Sequence, residues 1–171
     1  PARSEMCIRD SALAAGLSLT EVSGGLKNFS NIKGRLNIKQ GIKDATLIDD
    51  TYNANPDSMK AAIDVLAAMP APRIFVMGDM GELGEDEAAA MHAEVGAYAR
   101  DKGIEAAYFV GDNSVEAAET FGAEGLWFAD KDPLIQVLSH DLPERATVLV
   151  KGSRFMKMEE VVEALTDKEV V

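Results

Sequence analysis

One segment organises this chain: Leu47-Ile-Asp-Asp-Thr-Tyr-Asn-Ala-Asn-Pro-Asp-Ser58. Its first apolar residues run into Asp49 and Asp50, as expected where a buried strand ends. Asn55 is a preferred N-cap, and Pro56 suits the first helical position because the N–H that it lacks has no partner there. Apolar residues then recur at the i, i+3, i+4 and i+7 spacing of an amphipathic helix. The segment therefore predicts a strand, a polar loop and a capped helix.

Strand and helix patterns alternate along the rest of the chain. Further strands are predicted at 46–49, 73–77, 108–110, 126–128 and 147–150, helices at 85–102, 114–121, 132–140 and 158–165, and a short edge strand or hairpin over 36–42. Short connections join these elements. This alternation predicts an α/β fold: an open, mostly parallel, Rossmann-like sheet with helices on both faces and a ligand crevice at the carboxyl ends of its strands.

Aromatic and histidine residues away from this crevice are expected to be structural. Trp127 and Phe128 are predicted to lie in the core. His92 is one position away from the apolar face of its helix, which favours a half-buried structural histidine over a catalytic one. His140 is expected at the surface.

Polar residues cluster where the predicted strands end. They are Asp49, Asp50, Tyr52, Asn53, Asn55, Asp79, Glu82, Asp112, Asn113, Lys151, Ser153 and Arg154. The carboxyl ends of parallel strands meet at one edge of a sheet, so these residues are expected along a single rim. Ordinary turn and capping chemistry also places Asp and Asn after a strand. The pattern alone therefore leaves a ligand site and plain capping open.

Composition narrows the class of protein. The 171 residues are 47% hydrophobic and 27% charged, which is typical of a globular domain. The net charge of −12 disfavours nucleic acid and anionic membranes as general partners. The only cysteine, Cys7, excludes an internal disulfide, and no cluster has the spacing of a zinc site. A cytoplasmic setting is predicted, since no signal peptide or membrane-spanning run is present.

Several motifs in a fixed order resemble the C-terminal domain of the Mur ligases. They are Gly34-Arg35, Asp49-Asp-Thr-Tyr-Asn-Ala-Asn-Pro-Asp-Ser58, Gly78-Asp-Met-Gly-Glu-Leu-Gly84 and Lys151-Gly-Ser-Arg154. The resemblance covers about residues 12–166. It is closest to the branch of the family that joins D-alanyl-D-alanine to UDP-N-acetylmuramoyl-tripeptide (UDP-MurNAc-tripeptide).

The resemblance also implies a domain organisation. Residues 34–171 would form the Mur ligase C-terminal domain, and residues 12–33 the tail of the central ATPase domain with a linker. In that tail a short helix is predicted, with Thr20 as its N-cap and Gly24-Gly25 as its end. Residues 1–11 do not match the family and are interpreted as a non-native leader.

The resemblance implies an ATP-dependent amide ligase of peptidoglycan synthesis, using ATP and Mg²⁺. Its nucleotide-binding residues would be Arg35, Asp50, Tyr52, Asn53 and Asn55, and its substrate-binding residues Lys151, Ser153 and Arg154. No catalytic or metal-binding residue is predicted within the chain. The Gly-Lys-Ser/Thr phosphate loop is also missing from it. Mg²⁺ and the phosphate loop are therefore expected mainly in the enzyme's own central domain, and the chain alone is predicted to be inactive.

Two other classes remain open from the sequence. A receiver-like signalling domain would also need an acid pair after one strand, a phosphoacceptor such as Asp112 and a lysine such as Lys151. A nucleotide-binding module without chemistry would carry the same rim. ATP-ribose contacts near Asp50 would favour the ligase, and Mg²⁺-dependent phosphate-analogue binding at Asp112 would favour the receiver.

Overall fold

The computed structural model of the chain describes residues 10–27, 33–81 and 83–167. It divides into two compact units, residues 1–31 and residues 32–171. In the first unit residues 10–14 are helical and helix α1 spans Leu19–Lys27. The leader predicted at residues 1–11 lies almost wholly outside the described residues.

Helix α1 begins earlier and ends later than its sequence suggested. The Ser18 hydroxyl accepts the Glu21 N–H at 3.3 Å, and the Glu21 carboxylate accepts the Ser18 N–H at 2.8 Å. This reciprocal capping box makes Ser18 the N-cap, so the prediction of Thr20 is wrong. The helix also continues through Gly24 and Gly25, since glycine weakens a helix interior without having to end it.

The second unit alternates strands and helices. Its elements are β1 (Asn37–Gln40), β2 (Thr46–Asp50), α2 (Pro56–Ala67), β3 (Arg73–Gly78), α3 (Glu85–Asp101), β4 (Ala106–Val110), α4 (Ser114–Phe121), β5 (Gly125–Phe128), α5 (Lys131–Asp141), β6 (Thr147–Lys151) and α6 (Glu159–Leu165). Short 3₁₀ turns lie at Ile42–Asp44 and Arg154–Met156. The predicted elements are confirmed, with shifts of a few residues at some ends.

The six strands form one sheet in the order β1-β2-β6-β3-β4-β5. Only β1 is antiparallel to its neighbour, and all other pairs are parallel. The predicted open, mostly parallel α/β sheet is therefore confirmed. The last strand in the sequence, β6, lies between β2 and β3, and its Lys151 is in register with Asp50 of β2 and Met77 of β3.

Apolar layers cover both faces of the sheet. One layer joins strand residues such as Phe75 and Leu149 to α2, α3 and α4, and the other joins residues such as Val148 to α5 and α6. Strand β6 is buried along its whole length, which is why its sequence is a continuous apolar run rather than an alternating one. The covered faces leave the strand ends as the place where polar groups meet.

Some side-chain predictions need correction. Trp127 is 41% exposed, because β5 is an edge strand with a neighbour on one side only. Phe128 is half-buried and packs against the core, as predicted. The Trp127 indole N–H donates to the Gly111 carbonyl at 2.8 Å. His92 is completely buried instead of half-buried. Helix α5 begins at Lys131, after Asp130 rather than at Asp132, and His140 is exposed as predicted.

Candidate functional site

The centre of the rim is an ion pair between two neighbouring strands. Lys151 Nζ lies 2.6 Å from Asp50 Oδ2 and also donates to the Asn53 carbonyl at 2.9 Å. The Lys151 side chain is 4% exposed and that of Asp50 13%. Both residues end their strands in register, so the parallel pairing of β2 and β6 sets this contact. The pair therefore fixes the start of the loop after β2.

The segment before β1 is tied to the same loop. The Leu36 N–H donates to Asp50 Oδ1 at 3.2 Å, and the Tyr52 N–H donates to the Gly34 carbonyl at 2.9 Å. Gly34 has a φ of +75°, and a Cβ there would lie 3.0 Å from the Tyr52 nitrogen. Glycine suits this position for both reasons. Asp50 thus links β6 to the segment that carries Arg35.

Arg35 presents a cation at the edge of the rim. Its guanidinium carbon lies 4.5 Å from the centroid of the Tyr52 ring, an attractive cation–π arrangement. Both side chains are exposed, and no described carboxylate forms an ion pair with Arg35. A guanidinium held this way can bind phosphate oxygens in a bidentate manner.

Asn55 serves the helix that follows it. Its side-chain oxygen accepts the Ser58 N–H at 2.8 Å, and the Ser58 hydroxyl accepts the Asn55 N–H at 3.0 Å. This is a complete capping box for α2. Asn53 contributes its carbonyl to Lys151, and its side chain is exposed. The loop therefore contains a helix cap at Asn55 and exposed polar side chains, so both hypotheses from the sequence, capping and a ligand site, are compatible with it.

The loop after β6 holds the predicted substrate residues. Ser153 is 3% exposed, and its Oγ accepts the Gly81 N–H at 2.6 Å. Among the residues that the structure describes, its side chain makes one other hydrogen bond, a long one of 3.4 Å to the Ala54 carbonyl. Arg154 is exposed and pairs with Glu159 at 2.7 Å. Lys151, Ser153 and Arg154 therefore follow one another along the rim, and only Arg154 opens fully to solvent.

The two buried rim acids, Asp49 and Asp79, have structural partners. Asp49 is buried and accepts from Lys39 Nζ at 2.8 Å and from the Thr51 hydroxyl at 2.7 Å. Asp79 is 5% exposed and accepts from the Ser114 N–H at 2.8 Å, the Ser114 hydroxyl at 2.6 Å and the Asn113 N–H at 3.1 Å. Asp79 therefore caps α4, as a carboxylate at a helix N-terminus does. Glu82 lies outside the described residues.

Strand order contradicts the receiver-like alternative. Asp112 follows β4, which is separated from β2 by β6 and β3. At about 4.8 Å per strand, the strands that end in Asp50 and lead to Asp112 lie roughly 14 Å apart. A phosphoacceptor must lie beside the acid pair and the lysine, so this hypothesis is wrong.

The described residues do not fit a metal site. Within residues 10–27, 33–81 and 83–167, no three His, Cys, Asp or Glu side chains are grouped to hold a metal ion. The buried carboxylates of Asp49 and Asp79 already accept hydrogen bonds from protein donors. No helix in the described part of the chain is long and apolar enough to cross a bilayer.

Comparison with known proteins gives a consistent family. The family model of the Mur ligase glutamate ligase domain matches residues 34–154. The UDP-N-acetylmuramoyl-tripeptide–D-alanyl-D-alanine ligase of Escherichia coli K12 is 44% identical over 158 residues, which are 91% of this chain and 34% of that protein. The ligase of the same name from Haemophilus influenzae is 42% identical over 92% of this chain and 35% of its own length.

A solved structure shares the fold as well. Crystal structure II of MurF from Acinetobacter baumannii superposes with a TM-score of 0.77 and 36% identity, over 89% of this chain and 34% of that one. The chain thus spans about a third of the relatives that it matches. The matched region contains β1 to β6 and the whole Asp50–Lys151 rim. The chain belongs to the Mur ligase family, with the glutamate ligase domain as its main body.

Proposed function

We propose that this chain is the C-terminal substrate- and nucleotide-binding domain of an ATP-dependent amide ligase. The enzyme would join D-alanyl-D-alanine to UDP-MurNAc-tripeptide in the cytoplasm, during peptidoglycan synthesis. The supporting observation is the match to ligases of that name across about nine tenths of this chain. The chain covers only a third of those enzymes, so the rim would be one wall of a cleft completed by the enzyme's own central domain.

The proposed reaction has two steps. The carboxylate of the tripeptide attacks the γ-phosphorus of ATP, which releases ADP and leaves an acyl phosphate. The amine of D-alanyl-D-alanine then attacks the acyl carbon, and phosphate leaves as the amide forms. Both steps build up negative charge on phosphate oxygens, which positioned cations stabilise.

The rim offers groups for both ligands. Arg35 supplies an exposed guanidinium for phosphate oxygens, and Tyr52 beside it offers a ring face to the nucleotide. Ser153 and Arg154 suit the anionic end of the dipeptide. Lys151 acts mainly through the loop that it fixes, since two of its three donors are taken by Asp50 and Asn53.

Mg²⁺ would be held elsewhere in the enzyme. The acids in the described part of this chain form no group that fits a metal, and the sequence contains no phosphate loop. A bound Mg²⁺ would neutralise the charge of the phosphates. The residues of this chain would bind and orient the nucleotide and the dipeptide.

A chimera tests the proposal. Residues 34–171 would replace the corresponding third of the Escherichia coli ligase, and phosphate release from ATP would be measured with UDP-MurNAc-tripeptide. Release that depends on D-alanyl-D-alanine is expected from the chimera, and none from the 171-residue chain alone. Ligation by the chain alone, or a folded chimera whose ATP hydrolysis ignores the dipeptide, would refute the proposal.

A further inference from the structure

We propose that His92 is a positioning residue that aligns Ser153 through a single peptide group, and that it does so as the neutral Nδ1–H tautomer. Helix α3 carries His92, and Ser153 follows β6. The two side chains belong to different elements, and the loop after β3 lies between them. The inference rests on the proposed function only where Ser153 is taken as a contact of the dipeptide.

The contacts of His92 define its tautomer. The ring is completely buried, and its Nε2 lies 2.9 Å from the Met80 backbone nitrogen. A backbone N–H can only donate, so Nε2 must be the unprotonated acceptor. Nδ1 lies 2.7 Å from the Ala88 carbonyl, which can only accept. The ring proton therefore resides on Nδ1.

One peptide group connects His92 to Ser153. The Met80 N–H and the Asp79 carbonyl are the two ends of the same planar unit. The N–H donates to His92, and the carbonyl accepts the Ser153 N–H at 3.0 Å. Because the peptide is planar and its two groups point in opposite directions, fixing one end orients the other. The next N–H along the chain, that of Gly81, donates to Ser153 Oγ at 2.6 Å.

A charged His92 does not fit this arrangement. A proton on Nε2 would point at the Met80 N–H, and that N–H would lose its acceptor inside the core. A charged group, the Asp79 carboxylate, lies close to the ring, with its Oδ1 3.7 Å from Nε2. This carboxylate already accepts the N–H groups of Asn113 and Ser114. The neutral ring is therefore the form that satisfies both the Met80 N–H and the Ala88 carbonyl.

Within the described part of the chain, the alignment leaves the Ser153 proton without a close acceptor. Gly81 occupies one lone pair of Oγ, whereas the hydroxyl proton faces the Ala54 carbonyl only at 3.4 Å. That distance is long for a hydroxyl hydrogen bond. The hydroxyl can therefore turn its proton toward an anionic group at the rim, such as a carboxylate of the dipeptide, while its oxygen stays fixed.

The tautomer can be measured on the chain as it stands. Its histidines are His92 and His140, so ¹⁵N spectra of the imidazole nitrogens at pH 7.5 report both rings. We expect His92 to show protonated Nδ1 and unprotonated Nε2. His140, whose side chain is 89% exposed and whose Nδ1 lies 2.7 Å from Asp141 Oδ1, serves as the solvent-exposed comparison. A proton on His92 Nε2 would overturn the proposal.

Variants test the chain of hydrogen bonds from His92 through the Asp79–Met80 peptide group to Ser153, which we call the relay. His92→Phe removes the acceptor, whereas His92→Gln retains a carbonyl oxygen that can accept. In the 171-residue chain we expect amide exchange at Met80 and Gly81 to be about fivefold faster in His92→Phe, which is the change that a lost hydrogen bond of about 1 kcal/mol produces. Exchange at Val148 should not change. Equal exchange in wild type and both variants would overturn the relay.

The chimera then tests the link to substrate. We expect His92→Phe to raise KM for D-alanyl-D-alanine about tenfold without changing KM for ATP, and His92→Gln to restore it. His140→Phe is the matched control and should match the parent. Equal KM values in His92→Phe and the parent would overturn the role of His92 toward the dipeptide. If the chimera showed no dipeptide dependence, the proposed function would fail, and the ring and amide spectra would still decide the relay.

Discussion

The rim contains two aspartates that look alike in sequence and differ in use. Asp50 ends β2 and Asp79 follows β3, each after a buried strand and before a polar loop. Asp50 pairs with the ammonium group of Lys151 on the next strand, whereas Asp79 accepts N–H and O–H groups at the start of α4. Spatial neighbours, rather than local sequence, therefore decide whether a strand-end acid orders a binding loop or caps a helix.

The two parts of the rim also differ in which polar groups remain exposed. We call them the Asp50 half (Arg35, Asp50 and Tyr52) and the Asp79 half (Asp79, His92 and Ser114). Beside Asp50, the side chains of Arg35 and Tyr52 are exposed. Beside Asp79, the polar atoms of His92 and Ser114 are buried and paired with protein groups. A ligand therefore has exposed polar groups to contact in the Asp50 half. The Asp79 half is buried and holds the loop after β6 in place through the hydrogen bond from the Ser153 N–H to the Asp79 carbonyl.

The largest expected effect comes from breaking the ion pair. Lys151→Met leaves the Asp50 carboxylate nearly buried without its cation, which should cost about 3–5 kcal/mol of unfolding free energy. Urea denaturation would measure it. Lys60→Met is the control, because its pair with Glu94 is far more exposed and should cost under about 1 kcal/mol. Equal losses in the two variants would show that the Asp50 half does not depend on a buried charge.

The Asp79 half can be destabilised by a substitution at Gly111, which packs against the Asp79 carboxylate. A Cβ at Gly111 would lie 2.5 Å from Asp79 Oδ1, and its φ is +115°. Gly111→Ala should therefore lower the unfolding free energy by about 3 kcal/mol, from backbone strain and the displaced cap. Gly122→Ala shares a positive φ of +103° but has open space around its Cβ, so a loss of about 1 kcal/mol is expected. Equal losses of unfolding free energy in Gly111→Ala and Gly122→Ala would contradict the close packing of Asp79 against Gly111.

A smaller effect separates capping from ligand binding within the Asp50 half. Asn55→Ala removes the N-cap of α2 and should cost about 1 kcal/mol, whereas Asn55→Asp keeps an acceptor and should be nearly neutral. Thermal unfolding of the chain would measure both. If Asn55→Ala had no effect on stability but abolished nucleotide binding in the chimera, Asn55 would be a ligand rather than a cap.

The smallest effect lies at the opposite end of the sheet. Hydrogen bonds from the Arg73 guanidinium hold the pKa of Glu105 below its ordinary value of 4.5. A lowered carboxyl pKa stabilises the fold above the ordinary value, and that stability is lost as pH falls through the lowered pKa. Glu105→Gln should therefore cost under about 1 kcal/mol at pH 7 and flatten the loss of stability below pH 4.5. Glu144→Gln, at an exposed residue with no ion pair among the described residues, is the control variant.

Much of the fold was predictable because its signals are local. The start of α2 at Asn55-Pro56 and the end of α3 just before Gly103, whose φ is +74°, depend on residues within one turn. The continuous apolar runs likewise predicted buried parallel strands. The family resemblance, rather than spacing, supplied the roles of the rim residues.

Strand order was not predictable from local patterns. The Asp50–Lys151 contact joins residues 101 positions apart, and it exists because β6 lies between β2 and β3. The exposure of Trp127 has the same cause, since an apolar run does not reveal whether its strand lies at an edge. The His92 contact with Met80 also depends on how α3 packs beneath the loop.

The central claim is that this rim receives the dipeptide. The most direct measurement is KM for D-alanyl-D-alanine in the chimera that carries Ser153→Ala. Loss of the hydroxyl should raise that KM about tenfold and leave KM for ATP unchanged. A folded Ser153→Ala chimera with the KM of its parent for the dipeptide would contradict the claim.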